Sequence, residues 1–155
     1  MIKNKLLNII IILLLFTNCG FKIKNNTINY KLTDIISEGD RKINFEIKNS
    51  LINNSNEKSI TQKKIFLKTT KNKSIAEKNI KNEITKYKII ISVELELLDL
   101  NENQEQSFSI SKEGTYDVSS TYSVSLNNEK KLEKLLIISL TEKIIEELAE
   151  INDDI

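Results

Sequence analysis

Histidine is absent from this chain of 155 residues, and cysteine occurs once, at Cys19. Without histidine, the commonest general base, a Ser-His-Asp relay and imidazole-ligated metal sites are all excluded. A single thiol cannot close a disulfide within the chain. The three glycines, Gly20, Gly39 and Gly114, stand far apart, and none precedes a Lys-Ser or Lys-Thr pair, so no phosphate-cradling loop is present. Carboxylates remain, as the pair Glu94 and Glu96 on one strand face and as Glu142, Glu146 and Glu150 on one helix face. Such groups serve acid/base or hard-cation chemistry when they converge in a pocket, and are ordinary solvated charge when they do not. We take the second reading and expect a protein that is not an enzyme and uses no cofactor or metal.

Cys19 is the one residue whose surroundings point to covalent chemistry. In MIKNKLLNIIIILLLFTNCG, Lys3 and Lys5 precede an apolar run, Leu6 to Phe16, broken only by Asn8. The run is shorter than the roughly 20 residues a membrane span needs. A charged start, a short apolar core and an abrupt polar end read as a secretory signal. Its end, an apolar residue and two more before Cys-Gly, resembles a bacterial lipobox, in which Cys19 is diacylated and becomes the mature N-terminus. Residues 1–18 are then removed, 19–27 form the acylated cysteine and a polar tether, 28–151 form a single domain, and 152–155 form a frayed tail.

The elements that follow are laid out by periodicity. Ile28 to Ile36 alternates Ile28, Tyr30 and Leu32 against Asn29, Lys31 and Thr33, which predicts a half-buried strand. Asp40 is placed to accept the first free amides of a helix from Arg41 to about Asn53. In that helix Ile43, Ile47 and Leu51 form the stripe, widened by Phe45 and Ile52. Lys63 to Thr70 predicts a second strand, with Ser74 to Asn82 as a polar hairpin loop. Thr85 to Leu98 is the clearest strand, because Tyr87, Ile89, Ile91, Val93, Leu95 and Leu97 all fall on one face. Gln106 to about Ser123 alternates more loosely around Phe108, Ile110, Tyr116, Val118 and Tyr122, with Gly114 as an expected bulge or bend.

A last helix is predicted from about Asn128 to Ile151. At about 100° per residue, Ile137, Leu140, Ile144, Ile145, Leu148 and Ile151 share one side, while Ser139, Glu142, Lys143, Glu146, Glu147 and Glu150 share the other. Leu132, Leu135 and Leu136 fall on the side that becomes acidic one turn later, so either the helix bends there or those leucines are covered by something outside the domain, and a partner surface is expected of them. The fold class is α+β: a four-stranded, mostly antiparallel sheet with two helices packed on one face.

Charge narrows the partners. The formal net charge is +1, and loss of Lys3 and Lys5 with the signal brings it to about −1. No basic excess exists to neutralise nucleic-acid phosphates, so nucleic acid is not expected as a partner. A smaller cationic patch is possible on the open sheet face, from Lys63, Lys64 and Lys68 on one strand and Lys86 and Lys88 on the next. Ammonium groups there would suit a phosphate-bearing lipid. The other reading is ordinary surface lysine in a lysine-rich chain.

The order of these features resembles the LPS-assembly lipoprotein LptE family: Cys19-Gly20-Phe21 after the apolar run, then a strand leading into a helix over IISEGDRKINFEIKNSL (Ile35 to Leu51), then a hairpin. A Tyr- and Ser-rich stretch, GTYDVSSTYSVS (Gly114 to Ser125), follows, and a long C-terminal helix of Ile, Leu and acid completes the pattern. The resemblance implies a non-enzymatic lipoprotein at the periplasmic side of the outer membrane. Members of that family sit as a plug in an LptD β-barrel and assemble lipopolysaccharide at the cell surface with it. The alternative is a periplasmic lipid-binding carrier lipoprotein that acts without a barrel.

Overall fold

A computed structural model describes residues 27–151. The signal, Cys19, most of the tether and the tail 152–155 lie outside the described residues. The elements are β1 (Lys31–Gly39), α1 (Arg41–Asn54), β2 (Gln62–Lys78), β3 (Ile84–Asp99), β4 (Glu105–Asp117) and α2 (Tyr122–Glu150). The sheet order is β1-β2-β3-β4. β1 runs parallel to β2, and the other two pairings are antiparallel. A parallel neighbour cannot be reached by a tight turn, so the connection must cross the sheet, and α1 makes that crossing. Both helices bury their stripes on one face of the sheet, in the α+β arrangement the periodicities predict.

β3 is the floor of the core. Ile89, Ile91, Val93, Leu95 and Leu97 are each at most 2% exposed, as strict alternation requires. Onto this row α1 lays Ile43, Ile47 and Leu51, and α2 lays Ile137, Leu140, Ile144 and Leu148. Ile28 and Tyr30 close one end and are fully buried, ahead of β1 itself.

β1 departs from simple alternation. Its register against β2 shifts between Leu32 and Asp34, so Ile35 points inward and Ile36 outward. Unbroken alternation would drive the Asp34 carboxylate into the core, at a large desolvation cost. The bulge instead turns Asp34 to solvent, 3.5 Å from Lys64. β1 ends at Gly39, whose φ of 102° is a left-handed conformation, and a Cβ there would collide with the Thr69 carbonyl oxygen. That turn delivers Asp40 to the start of α1, where its Oδ1 accepts from the amides of Lys42 (3.0 Å) and Ile43 (3.1 Å). Phe45 and Ile52 do not widen the buried side of α1; they are 66% and 42% exposed.

β2 runs well past Thr70 to Lys78, pairing regularly with β3 from Thr70↔Ser92 to Ile75↔Tyr87 and then, through register shifts on either side of Glu77, to Lys78↔Ile84. The polar stretch read as a loop is held in strand form by the backbone of β3, with the turn confined to Asn79–Glu83. β4 stops at Asp117, and α2 begins at Tyr122, several residues before the expected start. Val118 and Tyr122 are therefore not strand residues.

Gly114 makes no bulge, since its register with Ile89 is regular. Its missing side chain leaves room for Leu132, whose Cδ1 would lie 2.7 Å from a Cβ at that position. Leu132 packs against the core and Leu136 belongs to it at 7% exposure, so α2 begins its apolar contact a turn earlier than its later stripe suggests. Of the three leucines expected at a partner surface, only Leu135, at 56% exposed, is open to solvent. Leu136→Ala should cost about 2–4 kcal/mol of stability in urea denaturation. Leu135→Ala should stay within about 0.5 kcal/mol. Gly114→Val should cost about 1–3 kcal/mol by overpacking against Leu132.

Candidate functional site

The ionisable side chains fall into an open sheet face and three lysine-centred clusters on the inner side. On the open face the expected cationic patch is neutralised strand by strand. Lys64 lies 3.5 Å from Asp34, Lys68 3.3 Å from Glu94, Lys86 2.7 Å from Glu77 and Lys88 2.7 Å from Glu113. Lys86 and Lys88 sit near the β2–β3 turn, and Lys64 and Lys68 toward the other end of the sheet. Glu94 and Glu96 line a shallow hollow with Ile36, Phe66 and Lys68. Glu38 and Leu67 complete its lining. Across β3 and β4, Ser92 and Ser111 hydroxyls meet at 3.0 Å.

Lys63 is not on that face. It shares the parity of Ile65 and Leu67 and is 7% exposed. Its ammonium lies 3.6 Å from Asp99 and 4.6 Å from the centre of the Tyr30 ring. Burial alone would raise the Asp99 carboxyl. The amides of Asn101 and Glu102 and the nearby Lys63 outweigh that and hold it below the usual range. Burial also pushes the Tyr30 phenol up, and its hydroxyl donates to the Leu148 carbonyl at 3.4 Å. An open cavity of about 350 Å³ adjoins this cluster, lined by Asn29, Thr61, Glu102 and Gln106 among others.

The second cluster joins three elements. Glu133 of α2, its side chain 8% exposed, accepts from Lys42 of α1 at 3.0 Å and from Lys71 of β2 at 3.3 Å. Lys71 lies 3.6 Å from Asp40 as well. The order Asp40–Lys71–Glu133–Lys42 alternates in sign, which is how a buried charge is tolerated. Burial would raise the Asp40 carboxyl, but the Ile43 amide and Lys71 hold it low.

The third cluster is an aromatic cradle. Tyr87 and Tyr116 are stacked at 5.8 Å and 28°. The Lys73 ammonium sits 4.5 Å and 5.3 Å from their ring centres, and 2.7 Å from Glu129. The Tyr116 hydroxyl donates to the same Glu129 oxygen at 2.8 Å. Glu129, which burial would raise, is held low by Lys73 and Tyr116. Lys73 is raised, chiefly by its bond to Glu129. A cavity of about 390 Å³ opens beside the cradle, with Val118, Tyr122 and Ser125 on its wall. Cys19, where lipid attachment is expected, is outside the described residues, and no group of three or more His, Cys, Asp or Glu that could hold a metal occurs among those described.

Neither Glu133 nor Lys73 stands out as a site residue by sequence motif. A signal exists nonetheless: Lys63, Lys71 and Lys73 share the inward parity of Ile65, and Glu133 falls within the stripe of Ile137 and Leu140.

No family model matches the chain, and no curated protein matches it. Solved structures do. The crystal structure of rare lipoprotein B from Shewanella oneidensis matches with a TM-score of 0.64 at 16% identity, covering 80% of this chain and 98% of that one. The solution structure of a lipoprotein B from Nitrosomonas europaea matches with a TM-score of 0.62 at 15% identity, covering 87% and 94%. At these identities the shared property is the fold.

Two outcomes test the electrostatics. Glu133→Ala removes the carboxylate that joins three elements while leaving Lys42 in solvent and Lys71 beside Asp40, and should cost about 2 kcal/mol, whereas Lys68→Ala on the open face should cost at most about 1 kcal/mol. Asp40, Asp99 and Glu129 are depressed in the folded state, so their stabilisation is full above the unfolded carboxylate range of about 4 and is lost as pH falls through their lower folded values. Urea midpoints should drop between pH 6 and pH 3. Asp99→Asn should be less stable at pH 6 and lose less across that interval.

Proposed function

We infer that this chain is a lipid-anchored envelope protein, held at the periplasmic side of the outer membrane through Cys19. There it partners an LptD-like β-barrel in assembling lipopolysaccharide at the cell surface, and it catalyses no reaction. One observation carries the reading: the described domain has the fold of rare lipoprotein B over 98% of that chain, and it begins a short tether after a Cys-Gly at the end of a secretory signal. The LptE-like order of motifs adds the barrel and the lipopolysaccharide.

The physical character of the surface favours a protein partner of polar lining. A barrel lumen alternates polar side chains with lipid-facing ones. A face whose lysines already carry their own carboxylates can enter such a lumen without stranding an unpaired charge. On this reading Lys64, Lys68, Lys86 and Lys88 meet lipid phosphates only by exchanging partners, and Lys63 stays structural. Leu135, with Ile138 at 43% exposed on the same helix, is the part of the leucine cluster left for the barrel.

Crosslinking in native membranes, followed by mass measurement, should give a stoichiometric adduct of barrel size. A lone monomer that retains bound lipid would overturn this in favour of a carrier. Leu135→Ser combined with Ile138→Ser should reduce co-purification of the barrel while leaving the melting temperature nearly unchanged.

A further inference from the structure

Ile36 and Phe66 are apolar side chains on a sheet face otherwise rich in charge. The strand registers set Ile36 beside Phe66 and Phe66 beside Glu96, so the three form one row across β1, β2 and β3. Glu38, Lys68 and Glu94 form the next row on the same face. The shallow hollow between the rows has a volume of about 270 Å³. Ile36 is 45% exposed, and Phe66 is half-buried. Apolar anchors in a depression with a polar rim are the form that interface hot spots take.

The charges around the hollow do not balance. Lys68 is drawn to Glu94 at 3.3 Å, and Lys64, outside the hollow, is drawn to Asp34 at 3.5 Å. Glu38 and Glu96 have no ion pair among the described residues. The lining therefore carries Glu38, Glu94 and Glu96 against the single ammonium of Lys68. The Phe66 ring is also open to a closer cation. The Lys64 ammonium stands 5.2 Å from its centre, near the outer limit of about 6 Å for such contacts.

These features select one kind of occupant. A small-molecule site has roughly 300–1,000 Å³ and encloses its ligand, so this hollow suits a single side chain delivered by a macromolecule. Its negative excess calls for a cation, and an aromatic face beside a carboxylate calls for a planar one. A guanidinium stacks on a ring and bonds a carboxylate through two parallel N–H groups, whereas an ammonium is a point charge. A second copy meeting through this face brings the same carboxylate excess against it. The one arginine of the chain, Arg41, opens α1 on the roofed side of the sheet. The polar wall of a barrel lumen can supply the missing cation.

We propose that the hollow receives an arginine side chain from the lumen wall of the β-barrel partner. Its stem lies against Ile36, and its guanidinium covers Phe66 and bonds Glu96. Glu38, two strands away and so about 10 Å across the sheet from Glu96, adds its field from the other side. The inference rests on the pairing of this protein with a β-barrel, and it fixes which part of the sheet meets the barrel and by what chemistry.

The test uses the full chain in its native membranes, with the photo-crosslinking residue p-benzoylphenylalanine in place of Phe66. A lysine-reactive crosslinker is applied to the unaltered chain in parallel. The expected adduct at position 66 is a β-barrel protein whose attached peptide carries an arginine. Glu96→Gln should lower recovery of the barrel about tenfold, the loss of one charge-assisted pair. Glu38→Gln should lower it less, and Glu77→Gln, near the β2–β3 turn, should leave it unchanged, with melting temperatures unchanged in all three. Exchanging the charges, with Glu96→Arg here and the crosslinked arginine changed to glutamate in the barrel, should restore recovery. A barrel adduct from the lysine-reactive reagent with none from position 66 would overturn the hollow as the contact and leave the barrel pairing intact. Equal recovery for Glu96→Gln and Glu77→Gln would do the same. No barrel adduct from either reagent would overturn both. An adduct at position 66 with lipid, with a second copy of the chain or with a barrel peptide lacking arginine would also overturn the proposal.

Discussion

The structure depends on the inward row of β3. Ile89, Ile91, Val93, Leu95 and Leu97 supply a continuous apolar floor, and every other element is placed by how it covers or extends that floor. β2 and β4 pair along nearly its whole length, and the two helices lay their stripes across it. Because only one face of the sheet is roofed, burial and exposure sort cleanly by parity. A one-residue slip of β3 would present Ser92, Glu94 and Glu96 to the helices, and the desolvation of those groups is what pins the register.

Charge is used in this protein mainly to join elements. Glu133 ties α2 to α1 and β2 through Lys42 and Lys71, and Glu129 ties the first turns of α2 to β2 and β4 through Lys73 and Tyr116. On the open face the pairs run across neighbouring strands. Lys64, Lys68, Lys86 and Lys88 therefore present little uncompensated charge on the open face.

Much of the architecture was legible because its determinants are local in period. β3, the stripe of α1, the Asp40 cap and the late stripe of α2 each follow from residues within a few positions of one another. The errors share a cause as well. β2 beyond Thr70 has no apolar rhythm of its own and is a strand because β3 beside it supplies hydrogen bonds. Gly114 looked like a bend, but its role is to yield space to Leu132, a residue in another element. Leu132 and Leu136 looked misplaced on α2 because the contacts that bury them, Gly114 of β4 for Leu132 and the core for Leu136, lie in other elements.

The sequence by itself excluded imidazole chemistry, through the absence of histidine, and it determined the α+β order of elements, through periods of two and 3.6. Tertiary structure alone decided which lysines are charge carriers and which are structural struts. Lys63, Lys64 and Lys68 look alike in sequence. Yet Lys63 is buried beside Asp99 and Tyr30, while Lys64 and Lys68 lie on the open face against Asp34 and Glu94. An ion pair exists only where folding brings a carboxylate within a few ångströms, and all three of these partners lie on other strands, where no local spacing encodes them.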